Sequence, residues 1–345
     1  MSDQPIQGRG AAFNPPNRFE TIEYVRDDDA AEESAPRTIL LRDPSRTIIN
    51  YNDSPDVGFE ASINPYRGCE HGCIYCFARP THEFLGFSAG LDFETKIVVK
   101  EDAPELLRKE LASARWQPKV IAISGVTDCY QPIERRLQLT RRCLEVLTEF
   151  RNPVVIITKN HLVTRDAGLL AELAAHDAAL VCVSITTLDE SIARLLEPRT
   201  SAPRLRLEAI RTLSEAGVPT AVLTAPIIPA INDHEIPAIL DAASEAGARS
   251  ASYTILRLPW AVAPLFERWL DDHMPERKEK VLNRIRGIRS GKLNDPRWGT
   301  RRRGPVCGAD SDAFRSELPE VGAQSALVRA LGRCVPQVHS TAIAL

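Results

Sequence analysis

The stretch Cys69-Glu70-His71-Gly72-Cys73-Ile74-Tyr75-Cys76 sets three thiols in one short loop. Shortly before it, Glu60–Asn64 is a strand candidate centred on Ile63, so the loop follows the end of a strand. Outward from that point the same unit repeats. Further strands are expected at Lys119–Ser124, Val154–Thr158, Ala179–Ile185, Thr220–Ala225 and Ser250–Leu256. Helices are expected at Ala103–Ala114, Ile133–Phe150, Arg165–His176, Glu190–Leu196, Pro203–Ala216 and Glu235–Ala246. Ile133, Leu137, Leu144 and Leu147 approximate the spacing of one helix face, and Gly217 and Gly247 stand where two helices should stop. Six strands alternating with helices predict a parallel sheet, and their nearly all-apolar interiors predict burial on both faces. The fold class is α/β, a partial (β/α)6 barrel. Its chemistry belongs at the C-terminal ends of the strands.

Three thiolates can hold three irons of a [4Fe–4S] cubane and leave the fourth iron without a protein ligand. Such an iron accepts the amino and carboxylate groups of S-adenosylmethionine, which sets the sulfonium beside the cluster for one-electron cleavage of a C–S bond. Gly72 lets the loop turn tightly, and Tyr75 shields one side of the cluster from water. The rival is a non-catalytic module, either an electron-transfer cluster or zinc with His71 or His82 as fourth ligand. Structural zinc usually pairs its ligands across a longer spacer, and no second pair lies nearby. A disulfide framework built from the eight cysteines is weaker still, because three of them crowd together and no secretory signal precedes them.

The loop resembles the signature of the radical S-adenosylmethionine superfamily: three cysteines separated by three and then two residues, with an aromatic, here Tyr75, before the last. Three further stretches are similar to a bacterial branch related to spore photoproduct lyase. They are Asn64-Pro65-Tyr66-Arg67-Gly68-Cys69, Cys76-Phe77-Ala78-Arg79 and the run from Ser124-Gly125-Val126-Thr127-Asp128-Cys129 through Tyr130-Gln131-Pro132-Ile133-Glu134. The resemblance spans about Phe59 to Pro259. It implies a [4Fe–4S] cluster on Cys69, Cys73 and Cys76, and a lyase- or oxidoreductase-type enzyme that cleaves S-adenosylmethionine to a 5′-deoxyadenosyl radical. It also implies a one-electron donor of flavodoxin or ferredoxin type. Thr127, Lys159 and Ser184 are implied as cofactor contacts, with Asp128 beside Thr127 and Arg199 of Glu197-Pro198-Arg199-Thr200 near the cofactor or substrate. Read without the resemblance, Thr127 and Ser184 cap helices and Lys159 is solvated. Pro226-Ile227-Ile228-Pro229 offers an apolar wall for an adenine, and Tyr253 reads as core. The lyase pattern carries a cysteine hydrogen donor where this sequence has Val126, so either nearby Cys129 donates hydrogen or the reaction differs.

The remaining composition bounds the partners. At 345 residues with 43% hydrophobic and 26% charged residues, the chain suits one large α/β domain with extensions, and its net charge of -3 gives no global bias toward nucleic acid. The N-terminus has no secretory pattern, and the apolar stretches Val120–Val126 and Ala221–Ile231 are too short or Pro-interrupted to span a bilayer, which predicts a cytoplasmic protein without membrane contact. Residues 1–55 read as a largely flexible extension, acidic over Phe19–Ser34 with seven acids against one Arg. Residues 56–260 read as the core domain and 261–345 as a helical and basic extension. From Glu276 to Arg303 eleven Lys/Arg meet three acids, Arg301-Arg302-Arg303 among them, and this run could grip the phosphates of a nucleic-acid substrate or be a solvated face. Trp260, Trp269 and Trp298 offer base stacking, with helix packing the default for the first two. Cys143 and Cys182 read as small core residues, and Cys307 and Cys334 are too scattered for a second cluster.

Overall fold

The computed structural model describes residues 5–19, 36–52, 59–289 and 291–294. Its strands are β1 (Ile39–Arg42), β2 (Ile49–Tyr51), β3 (Ala61–Ile63), β4 (Tyr66–Arg67), β5 (Lys96–Val99), β6 (Ile121–Ile123), β7 (Val154–Thr158), β8 (Ala179–Ser184), β9 (Thr220–Ile227) and β10 (Ser250–Ile255). Its helices are α1 (Leu91–Thr95), α2 (Ala103–Leu111), α3 (Glu134–Leu137), α4 (Leu139–Glu149), α5 (Ala167–Ala174), α6 (Glu190–Leu196), α7 (Pro203–Glu215), α8 (Ile236–Glu245), α9 (Val262–His273) and α10 (Lys278–Ile288). The main sheet has seven strands in the order β10-β9-β8-β7-β6-β3-β2. Its six strands from β3 to β10 are parallel, and β2 adds antiparallel to β3. β2 and β10 are not paired, so the barrel stays open.

Strand alternation decides which layer each side chain joins. Ile121, Ile123, Val154, Ile156, Val181, Val183 and Val222 lie in the principal core with Leu107 and Leu111 of α2, Leu144 and Leu147 of α4, Leu170 and Leu173 of α5, Ile210 and Leu213 of α7, and Ile239 and Ala243 of α8. Those helix residues recur every three or four positions, so each helix lays one apolar stripe on the same face of the sheet. The alternate strand residues, Ser62, Ala122, Val155, Ile157, Cys182 and Leu223, line the other, concave face. Helices on one face of a curved parallel sheet give a half barrel.

Several elements depart from the sequence expectation. The helix expected over Ile133–Phe150 breaks at Gln138, which is left-handed with φ 53°. Glu134 explains the restart, because its carboxylate accepts the N–H groups of Thr140 (3.1 Å) and Arg141 (3.3 Å) at the first turn of α4. A small second sheet, β1-β5-β4, was not anticipated. β1 and β2 fall inside the stretch expected to be flexible, and residues 9–18 are tied by hydrogen bonds to chain about 80 residues away, such as Ala11 N–H to Glu94 and Asn14 to Asp92. The remainder of the acidic stretch, residues 20–35, lies outside the described residues. A second core joins Val262, Leu265, Phe266 and Trp269 of α9 and Leu282 and Ile285 of α10 to Cys73, Ile74 and Tyr75, so the boundary expected at residue 260 runs through packed side chains.

Candidate functional site

The cysteine loop follows β3 and β4 and sits at the C-terminal end of the sheet. Cys69 and Cys73 are buried and Cys76 is half-buried, all as free thiols. Burial pushes the Cys73 thiol up, and Glu197 and the other two sulfurs push it further. Cys76 is raised likewise, by burial and then Cys69, so the three sulfurs feel one another. Arg79, fully buried, holds the loop from inside: it donates to the carbonyls of Cys73 (3.0 Å) and Gly72 (3.2 Å) and pairs with Glu94 at 2.5 Å. Glu94 in turn accepts the N–H groups of Gly10 (3.1 Å) and Ala11 (2.8 Å), so the N-terminal segment is stitched onto the loop. Gly72 turns at φ +67°, where a Cβ would meet Glu94 at 2.8 Å, and a Cβ on Gly10 would lie 1.7 Å from the Gly72 carbonyl oxygen. Backbone on both sides of that contact leaves no flexible group to yield. Gly10→Ala is therefore expected to cost about 1–3 kcal/mol of stability and to expose residues 5–19 to protease, checked by denaturant unfolding and limited digestion.

Asp128 binds three segments together. Its carboxylate accepts Thr158 Oγ1 (2.8 Å), the N–H groups of Lys159 (2.7 Å) and Tyr130 (2.9 Å), and Nδ1 of His71 (3.3 Å). Burial opposes its charge, but His71 and those N–H groups hold it below the usual carboxylate range. Asn160, whose Oδ1 is taken by the Leu162 N–H, sets its Nδ2 3.1 Å from His71 Nε2, and although burial opposes the imidazolium, Asp128 and then Cys69 raise the His71 pKa to about 9. His71 is thereby a buried structural link. Asp128, expected beside the cofactor, has its oxygens engaged by protein donors, and the Thr127 hydroxyl donates to the Tyr66 carbonyl at 3.2 Å.

Glu197 organises the opposite wall. It accepts the hydroxyls of Tyr75 and Thr186 and forms an ion pair with Arg206, all buried. Burial alone would raise its pKa, but Arg206, Lys159 and the two hydroxyls draw it down to about 2. Arg206 also donates to the carbonyls of Ser201 (2.7 Å) and Ser184 (3.0 Å), which fixes the end of β8. The Lys159 ammonium lies 3.5 Å from the Ala225 carbonyl and 5.9 Å from the Tyr75 ring centroid, and its charge reaches both Cys73 and Cys76. Ser184 is buried on the same strand end. Arg199 turns toward the loop, donating its N–H to the His71 carbonyl and pairing with Glu70 at 3.3 Å.

Other expected residues lie elsewhere. Cys129 belongs to the principal core with Leu144 and Ile123, and burial lifts its thiol well up; it is not on the loop side. Val126 instead packs against Cys69, Ala78 and Phe93. Its N–H is held by Asn64 Oδ1 at 3.1 Å, beside Ser124, whose φ of 90° is a strained conformation for a residue with a side chain. Cys143 and Cys182 are buried, as expected. Ile227 and Ile228 of the expected adenine wall are buried, while Tyr253, expected in the core, is 38% exposed on edge strand β10. Trp269 is buried and bonded to the Leu195 carbonyl, but Trp260 is 60% exposed under the Arg18 guanidinium. In the basic segment, Lys278 pairs with Asp271, Arg284 with Asp233, and Arg289 is buried against the Leu256 carbonyl. Arg301, Arg302, Arg303, Cys307, Cys334 and Trp298 lie outside the described residues. Sequence reasoning missed Arg79, Glu94, Glu197 and Arg206 as framework, because their neighbours in the chain include charged and polar residues and their burial comes from distant segments.

The family model described as the radical SAM superfamily matches residues 63–243, more than half of the chain, and the chain belongs to that superfamily. The superfamily is one of S-adenosylmethionine chemistry on an iron–sulfur cluster, and its membership implies those two cofactors. An uncharacterized protein of Mycobacterium tuberculosis is 36% identical over 220 residues, which cover 63% of this chain and 65% of that relative, so the chain spans less than two thirds of it. An uncharacterized protein of Methanocaldococcus jannaschii is 28% identical over 71% of this chain and 87% of its own. Among solved structures, spore photoproduct lyase has the same fold, with a TM-score of 0.53 at 18% identity over 68% of this chain and 67% of that one. A variant of that lyase with bound AdoMet and dinucleoside spore photoproduct gives 0.51 at 17% identity over 67% and 66%. Among the described residues no helix is long and apolar enough to cross a membrane.

Proposed function

We propose that Cys69, Cys73 and Cys76 hold a [4Fe–4S] cluster and that S-adenosylmethionine lies between this loop and the ends of β7 and β8. The observation that carries the reading is the meeting of three free thiols on one loop with the Lys159 ammonium, 5.9 Å from the Tyr75 ring centroid, at the end of the sheet. When bound, the reduced cluster supplies one electron that splits S-adenosylmethionine into methionine and a 5′-deoxyadenosyl radical for hydrogen abstraction.

The chain's own residues do the rest. Lys159 holds the cofactor carboxylate as a point charge, and Ser184 donates to it from the strand end. Thr127, Asp128 and Arg199 act one step back, by holding β4, His71 and Glu70. Residues 56–260 carry this chemistry, and α9 and α10, from the extension expected after residue 260, pack behind Cys73, Ile74 and Tyr75. A cytoplasmic setting with a flavodoxin- or ferredoxin-type donor suits the free thiols. Lys159→Met is expected to weaken S-adenosylmethionine binding about tenfold or more with iron content unchanged, measured by equilibrium dialysis on the reconstituted protein. Unaltered affinity would remove Lys159 from the site.

For the substrate, a nucleic acid fits best, because the half barrel is open and a fold neighbour holds a dinucleoside lesion. Val126 argues against photoproduct repair itself. With much of the described basic segment paired internally, phosphate contact rests on Arg301, Arg302 and Arg303, whose replacement by Ala should flatten the salt dependence of DNA or RNA binding. No binding at low salt would exclude the nucleic-acid substrate and leave the radical chemistry standing.

A further inference from the structure

The amide of Gln131 brackets Cys69. Its Oε1 accepts the N–H of Glu70 at 2.8 Å and its Nε2 donates to the carbonyl of Gly68 at 3.2 Å, so both peptide neighbours of Cys69 are held by one fully buried side chain. The rest of the loop is arranged differently. The N–H groups of Cys69, Gly72, Ile74 and Cys76 go to the backbone carbonyls of Phe93, Cys69, Leu196 and Cys73, whereas that of Glu70 goes to a side chain. Gln131 is itself fixed: its N–H donates to the Asp128 carbonyl, and its carbonyl accepts the N–H of Glu134, whose carboxylate takes Arg165 at 2.8 Å.

Backbone N–H groups that reach the sulfurs of an iron–sulfur cluster stabilise its reduced, more negative form and raise its potential. A Glu70 N–H already spent on Gln131 is withheld from that role. We propose that Gln131 is a positioning residue that fixes the Cys69 sulfur and keeps the Glu70 N–H away from the cluster, holding the reduction potential low. This rests on the assignment of Cys69 as a cluster ligand. A low potential makes the electron a stronger reductant, which cleavage of a sulfonium requires.

The test compares wild type, Gln131→Leu and Gln131→Glu after anaerobic reconstitution, by iron analysis, electron paramagnetic resonance of the reduced state and a redox titration. Gln131→Leu removes both bonds, and it is expected to keep its iron, to show a broadened signal and to titrate at a more positive potential. In the buried setting a Glu side chain keeps its proton, accepts from Glu70 and donates to Gly68, so Gln131→Glu should restore the wild-type line shape and potential. An iron-filled Gln131→Leu protein with unchanged signal and potential overturns the proposal. Should the Leu variant fail to fold, a positive shift in Gln131→Glu overturns it equally. Absence of a cluster from wild type would instead defeat the ligand assignment.

Discussion

Cys73→Ala is expected to leave a folded protein that holds no stable four-iron cluster and forms no 5′-deoxyadenosine above background. Each of three thiolates carries one iron, and two thiolates leave a second iron open to water and to loss. Cys73 is also anchored on two sides: its carbonyl is held by Arg79 and its side chain joins the second core with Ile74, Leu196 and Phe266. Alanine fills that space with a small deficit, so circular dichroism and unfolding should change little while iron and sulfide fall to background. Cys143→Ala, in the principal core away from the loop, should retain the cluster and serves as the control. Normal iron content in Cys73→Ala would refute the ligand set.

The second large effect belongs to Arg206. Replacing it by methionine preserves much of its volume but leaves Glu197 buried without its cation, and breaking such a pair typically costs about 3–5 kcal/mol. Arg206 further supports the Ser184 and Ser201 carbonyls, so the end of β8 should loosen as well. The pH dependence has a definite sign. Glu197 titrates at about 2 in the fold against an ordinary value of 4.5, so its contribution is complete above pH 4.5 and is lost as pH falls through 2. The stability gap between wild type and Arg206→Met, followed by urea unfolding, should be widest near neutrality and narrow below pH 4.5. A gap of under about 1 kcal/mol at pH 7 would show that the pair is dispensable.

The sequence displayed the parts of this molecule whose causes are local. Val154–Thr158 and Glu190–Leu196 coincide with β7 and α6, because a β-branched run and an Asp189-capped amphipathic turn carry their own signals. The small sheet was invisible for the opposite reason: β4 is two residues long, and β1 exists only by pairing with β5, more than fifty residues away. Residues 9–18 read as loose chain, since nothing in Gly10 or Asn14 reveals that Glu94 and Asp92 wait for them. At the site, the cysteine spacing was explicit and the placement of Lys159 and Ser184 followed from the strand ends. The direction of Asp128 was not, because its partners His71 and Thr158 come from two other segments. Cys129 looked close to the chemistry in sequence, but the turn after Ser124 sends Val126 to the loop and Cys129 to the core.

The most direct measurement is the yield of 5′-deoxyadenosine when the anaerobically reconstituted protein is reduced in the presence of S-adenosylmethionine. The account predicts 5′-deoxyadenosine and methionine in equal amounts from wild type, and neither from Cys69→Ala, Cys73→Ala or Cys76→Ala. A wild-type protein with a complete, reducible cluster that forms no 5′-deoxyadenosine would contradict it.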